Sequence, residues 1–106
     1  HFASTNVGDN GATAIGQGLV KCPVLASVML EFSGTQVGDF GATAVGQGLA
    51  MCLALGKVDL NFGGTRVSDA GALATFDCLK EREFSSCRIF FPGIGELRQE
   101  QDRASK

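Results

Sequence analysis

Three aspartates, Asp9, Asp39 and Asp69, recur at thirty-residue spacing, and Cys22 and Cys52 share that interval. Residues repeated at one interval come side by side when a chain stacks on itself, so each set defines a possible chemistry. A column of carboxylates could gather the oxygen ligands that Ca²⁺ prefers. Helix capping explains the same residues more simply: each stands just before an Ala-rich stretch, where a carboxylate accepts exposed backbone N–H groups and meets the positive end of the helix dipole. Gly63-Gly64 ahead of Asp69 faintly echoes the calcium-binding nonapeptide repeat, but no nine-residue period is present. No metal is expected.

Neighbouring strands in a stack lie about 4.8 Å apart, a separation that a disulfide can span. For Cys22 and Cys52 we nevertheless expect two buried free thiols acting as small apolar residues, since they recur as part of the repeat. A Cys22–Cys52 bridge and a Cys78–Cys87 bridge closing the last coil are the alternatives. Free thiols favour a reducing compartment, so a cytoplasmic location is expected. Nucleophilic catalysis has little to draw on. The one histidine is His1, at the terminus, and no phosphate-cradling GxxxxGK[ST] loop occurs. Neither enzymatic activity nor a cofactor is expected.

The thirty-residue interval runs through residues 2–79. TNVGDNGATAIGQGLVKCPVLASVMLEFSG (5–34) is followed at once by TQVGDFGATAVGQGLAMCLALGKVDLNFGG (35–64), and the two agree at 18 of 30 positions. A weaker copy opens at Thr65 with TRVSDAGALATFDCL, and Phe2 stands thirty residues before Phe32. Such self-similarity marks one supersecondary unit stacked on itself. The first residues read as the end of a preceding copy, so the chain is expected to be a piece of a longer array.

Each unit has two halves. Val28, Leu30 and Phe32 alternate with Met29, Glu31 and Ser33, and Val58, Leu60 and Phe62 alternate with Asp59, Asn61 and Gly63. That period of two predicts a short strand with one buried face, ending in a tight turn at Gly34 or Gly64. The other half predicts a helix from each aspartate to Leu19, Leu49 or Leu79, with Ile15/Leu19 and Val45/Leu49 paired at i, i+4 toward the core. Gly16 and Gly18 cost up to about 1 kcal/mol each in an isolated helix. Their presence, with Gly11, Ala12 and Ala14, predicts close packing of each helix against the next coil. One strand and one helix per unit make successive strands parallel.

The run Leu25-x-x-Val28-x-Leu30, then Thr35, then Val37-Gly-Asp-x-Gly-Ala and a helix closing at Leu49, resembles the leucine-rich repeat of the ribonuclease-inhibitor-like class. The resemblance covers residues 2–79 well and 80–94 poorly. It implies an α/β solenoid with parallel strands on the concave face and helices on the convex face. The units here are slightly longer than the family's usual 28–29 residues. The inter-coil hydrogen-bonding position could therefore fall on Ser33 or Thr35, and the Thr5–Thr35–Thr65 column, present in all three copies, is favoured. The resemblance also implies that outward strand side chains meet a protein partner: Ser27, Met29, Glu31 and Ser33 on one strand, and Lys57, Asp59, Asn61 and Gly63 on the next. Of these, Ser27, Met29, Glu31, Lys57, Asp59 and Asn61 are the candidate binding residues. They are also where the two near-identical units disagree, while the buried alternates stay constant. That pattern suits an addressable surface, and it equally suits drift at exposed positions.

Composition narrows the partner. The net charge of −2 and pI near 5.2 supply no basic stripe for nucleic acid and no polybasic patch for an anionic membrane. No apolar run approaches the roughly 20 residues of a membrane span. Gly makes up 15 of 106 residues, about twice the usual share of ~7%, and it recurs with the repeat.

After Leu79 the pattern decays: Arg82 replaces Cys22/Cys52, and Ser85 replaces Leu25/Leu55. Strict registration would bury Arg88 at the Val28/Val58 position. A slip of one residue would bury Cys87, Ile89 and Phe91 instead, and we favour it because an unpaired buried guanidinium is costly. Pro92 is expected to end the ladder and 95–106 to be a polar tail without order. The organisation expected is thus a partial coil (1–4), repeats 5–34 and 35–64, a degenerate repeat 65–94, and the tail. The function expected is a protein–protein interaction scaffold binding through its concave strand face. The alternative is a structural spacer or a fragment that self-associates through its open solenoid edges.

Overall fold

Each helix begins at the aspartate of its repeat. In the computed structural model, which describes residues 8–22 and 24–100, α1 spans Asp9–Val20, α2 Asp39–Ala50 and α3 Asp69–Leu79. The intervening strands are β1 (Ser27–Glu31), β2 (Lys57–Asn61) and β3 (Ser86–Phe91), followed by β4 (Gly95–Glu100). The fold is α/β, with an open four-stranded mixed sheet in the order β1-β2-β3-β4. β1, β2 and β3 run parallel. Gly34 (φ 75°) and Gly64 (φ 69°) sit in the left-handed region just after β1 and β2, which only glycine enters at no steric cost. Phe2 and Thr5 lie outside the described residues.

Register follows from burial. Val28 lies beside Val58, and Val58 beside Cys87. The third strand is therefore displaced by one residue from a strict thirty, which buries Cys87, Ile89 and Phe91 and leaves Arg88 exposed. Phe32, Phe62 and Phe91 form a fully buried stack, with ring centroids 5.1 and 5.3 Å apart and planes within 7° of parallel. Each such ring contributes up to about 3 kcal/mol by leaving water. Helix and strand residues close one apolar core, with Val45, Leu49 and Leu60 at its centre.

Asp9 and Asp39 act on the following unit. Asp9 Oδ1 accepts the N–H groups of Gly38 (2.8 Å) and Gly41 (2.9 Å), so it caps α2. Asp39 accepts the Ser68 N–H and hydroxyl, each at 2.6 Å, at the start of α3. For Asp9 and Asp39 this corrects the expectation that each caps the helix it begins; α3 is capped by the Ser68 hydroxyl, which accepts the Gly71 N–H. These oxygens serve N–H donors, and the described residues hold no group of three or more potential metal ligands.

The opposite helix ends are also served across units. The Cys52 thiol donates to Leu19 O at 3.2 Å. Thirty residues later, Arg82 donates to Leu49 O (3.4 Å), Ala50 O (3.1 Å) and Cys52 O (3.0 Å) at the end of α2, and its guanidinium lies 5.0 Å from the Phe84 ring centroid. Arg82 is thus a cation at a helix C-terminus, where the dipole favours it, and not a sign of decay.

Three other expectations are corrected. Thr35 and Thr65 donate to Phe32 O and Phe62 O within their own turns, at 2.6 and 2.5 Å, so they do not bridge coils. Cys22 is exposed while Cys52 is buried, because the first unit covers Cys52 and no described residue covers Cys22 in the same way; all four cysteines are free. Gly95–Glu100, expected within a polar tail, forms β4 antiparallel to β3. A three-residue turn over Pro92–Ile94 closes on Gly95 at φ 81°, the geometry of a hairpin ending in a left-handed residue.

Close helix packing is real at particular glycines. A Cβ on Gly48 would lie 2.3 Å from Gly16 O, and one on Gly16 would lie 2.4 Å from Ala44 O, whereas Gly18 faces open space. Gly→Ala ordinarily stabilises a helix interior by about 0.5–1 kcal/mol; Gly48→Ala is expected to destabilise by roughly 1–3 kcal/mol instead, read as a lower urea midpoint. Arg82→Met, which keeps the apolar stem and removes the donors, is expected to lower stability by about 1–3 kcal/mol, read as a fall in Tm.

Candidate functional site

Alternation along β1, β2 and β3 turns one set of side chains into the core and the other outward, and parallel register lines up the outward set in rows. Ser27, Lys57 and Ser86 form one row, Met29, Asp59 and Arg88 the next, and Glu31, Asn61 and Phe90 the third. All six candidate residues, Ser27, Met29, Glu31, Lys57, Asp59 and Asn61, therefore share the sheet face opposite the helices.

They are not equivalent. Met29 is 74% exposed, and Ser27 and Lys57 are also exposed. Glu31 and Asn61 are half-buried and tied down: Asn61 Nδ2 donates to Glu31 Oε2 at 3.1 Å, Ser33 Oγ donates to the same oxygen at 2.6 Å, and Gly63 N–H donates to Asn61 Oδ1 at 2.8 Å. This is the side-chain bridge between adjacent units that was expected at Thr35. Glu31 and Asn61 thus brace the strand ends, and Gly63 and Ser33 belong to the same brace.

The third strand completes the face. Arg88 Nε lies 3.2 Å from Glu96 Oε2, and its NH1 lies 3.9 Å from Asp59 Oδ2, joining β2, β3 and β4 in a half-exposed charge chain. Ser27, Met29, Lys57, Asp59, Ser86 and Arg88 surround a shallow depression of about 240 Å³. Lys57 makes no ion pair among the described residues. Beside the depression Phe90 is 43% exposed. Two cations, one carboxylate, two hydroxyls and two apolar groups can hold an extended peptide by ion pairs and side-chain contact. Ser86, Arg88, Phe90 and Glu96 were not among the candidates. The displaced register supplies the missing signal, since a step of 29 residues sets Arg88 opposite Asp59.

A second concavity, about 300 Å³, lies between α1 and α2 and is lined by Thr13, Gln17, Val20, Phe40, Ala44 and Met51. No helix among the described residues is long and apolar enough to cross a membrane. Comparison of the chain with protein-family models, with curated proteins and with solved structures gives no match.

Beneath the face, Cys87 packs in the core next to Val58. Burial, and secondarily the Asp59 carboxylate, pushes its thiol up to about 11. Burial also raises the Cys52 and Cys78 thiols. An unfolded thiol releases its proton near 9.0 while the folded Cys87 keeps it until about 11, so the folded state binds more protons across that window and stability falls as pH rises through it. Urea unfolding from pH 8 to 11 is expected to show this decline, and Cys87→Ala to make it shallower.

Proposed function

We propose that the chain is part of a leucine-rich-repeat solenoid of the ribonuclease-inhibitor-like class, and that it recognises a protein partner through the open face of its sheet without covalent chemistry. Three features support the solenoid: the parallel register Val28–Val58–Cys87, the buried Phe32–Phe62–Phe91 column, and helices spaced at the same interval. The observation that carries the function is that Met29, Lys57, Asp59 and Arg88, all charged or exposed, converge on one depression floored by the buried Val28 and Val58. An acidic side chain of the partner fits Lys57, and an apolar one fits Met29 and Phe90.

Size decides the strength of such a complex. Four strands about 4.8 Å apart, each five or six residues long at about 3.3 Å per residue, give a face of about 300 Å². That is well under the roughly 800 Å² per partner of a standard interface. This face alone suits a weak, peptide-sized contact, and a longer array widens it strand by strand. The four free cysteines suit a reducing, cytoplasmic setting.

The test is affinity capture with cross-linking, comparing the parent chain with Lys57→Glu/Arg88→Glu and with Gln47→Glu on the helix side. All three are expected to fold, because exposed charges contribute only about 0–1 kcal/mol. The strand-face pair is expected to lose a protein that the parent and Gln47→Glu both retain. Retention by all three, or loss by both variants, would contradict the assignment.

A further inference from the structure

Units one and two carry nearly one sequence, yet the structure uses it differently. Gly41, Gly48, Cys52, Leu55 and Leu60 are buried, while Gly11, Gly18, Cys22, Leu25 and Leu30, thirty positions earlier, are exposed or half-buried. What covers the residues of the second unit is the first unit. A Cβ on Gly41 would come within 2.7 Å of Asp9 Oδ1 and one on Gly48 within 2.3 Å of Gly16 O, whereas one on Gly18 would meet nothing within 4 Å. The Cys52 thiol reaches Leu19 O, and β2 hydrogen-bonds to β1, whose own outer edge has no neighbour among the described residues.

Gly18 is therefore a glycine whose reason is missing. At an exposed helix-interior position it lowers the folded-to-unfolded ratio about fivefold relative to alanine. In α2 the same glycine admits a neighbouring backbone. The strand edge, the half-buried leucines and the thiol point to the same absent contact, and together they continue the α1–α2 and β1–β2 interfaces by one further step.

We propose that the α1–β1 face is an interface for one more strand–helix unit of the same pattern, lying N-terminal to it in the same polypeptide. Its strand runs parallel to β1. Its helix presents a backbone carbonyl to Gly18 and an aspartate, in the place of Asp9, to the N–H groups of Gly8 and Gly11. The last turn of that helix accepts the Cys22 thiol. In the sequence Phe2 precedes Phe32 by thirty positions, as Phe32 precedes Phe62. A second copy placed head to tail would set β4, which is antiparallel to β3 and followed by no helix among the described residues, against β1, and so would not reproduce the β1–β2 and α1–α2 contacts.

The test places a copy of residues 35–64 directly before Thr5 and compares this extended chain with the 106-residue protein, each with and without Gly18→Ala. The extended chain is expected to unfold in one transition at a higher Tm. Its urea m-value should rise by about a quarter, in proportion to the surface added. Gly18→Ala is expected to raise the folded-to-unfolded ratio about fivefold in the 106-residue protein and to lower it at least tenfold in the extended chain. Asp39→Asn in the added copy is expected to lower the Tm of the extended chain. A separate second transition with the original midpoint unchanged, an extended chain that fails to fold, or a Gly18→Ala effect of the same sign in both chains would overturn the proposal.

Discussion

Helix ends in this chain are completed by the neighbouring unit. A helix leaves four N–H and four C=O groups without intrahelical partners, and α1 and α2 carry little of their own to satisfy them: Gly8 and Gly38 stand at their N-caps with no side chain to offer, whereas α3 has its own cap in Ser68, whose hydroxyl accepts the Gly71 N–H. Asp9 supplies α2, and Asp39 supplies α3 through Ser68. Cys52 returns a donor to the end of α1, and Arg82 does so to the end of α2. Glycine-rich helices of 11 or 12 residues are marginal alone. Here the glycines that weaken each helix are what let it approach the next, so propensity and packing trade against one another across a shared boundary.

That trade fixes the spacing, and the spacing fixes the face. The carboxylate of Asp9 and the backbone at Gly16 can meet the next helix only if adjoining units repeat without offset, which in turn stacks Phe32 on Phe62 and Val28 on Val58. Once the strands are held in that register, the alternate side chains have no freedom to choose partners: Lys57 must lie between Ser27 and Ser86, and Asp59 between Met29 and Arg88. The candidate recognition surface is thus a by-product of how the helices are capped on the far side of the sheet.

Periodicity made the elements legible. The helix limits, the strands, the glycine turns and the one-residue displacement at Cys87 could all be read from where apolar residues recur, because burial of one face is the dominant demand on each. The placement of the six candidate residues on one sheet face was legible for the same reason. What periodicity does not encode is which neighbour a polar group serves. Asp39 looks like a cap for its own helix, Arg82 like a lapse in the pattern, and Thr35 like a bridge between coils, yet each is resolved only by side-chain direction in three dimensions. The β4 hairpin was hidden too. Its segment lacks an apolar alternation and is ordered through backbone pairing with β3, started by the turn before Gly95.

The capping direction is the point on which this account stands, and amide hydrogen exchange in the Asp9→Ala variant addresses it most directly. The account predicts that protection at the Gly38 and Gly41 amides falls at least tenfold while the first-turn amides of α1 keep their rates. Unchanged protection at Gly38 and Gly41, with the loss confined to α1, would contradict it.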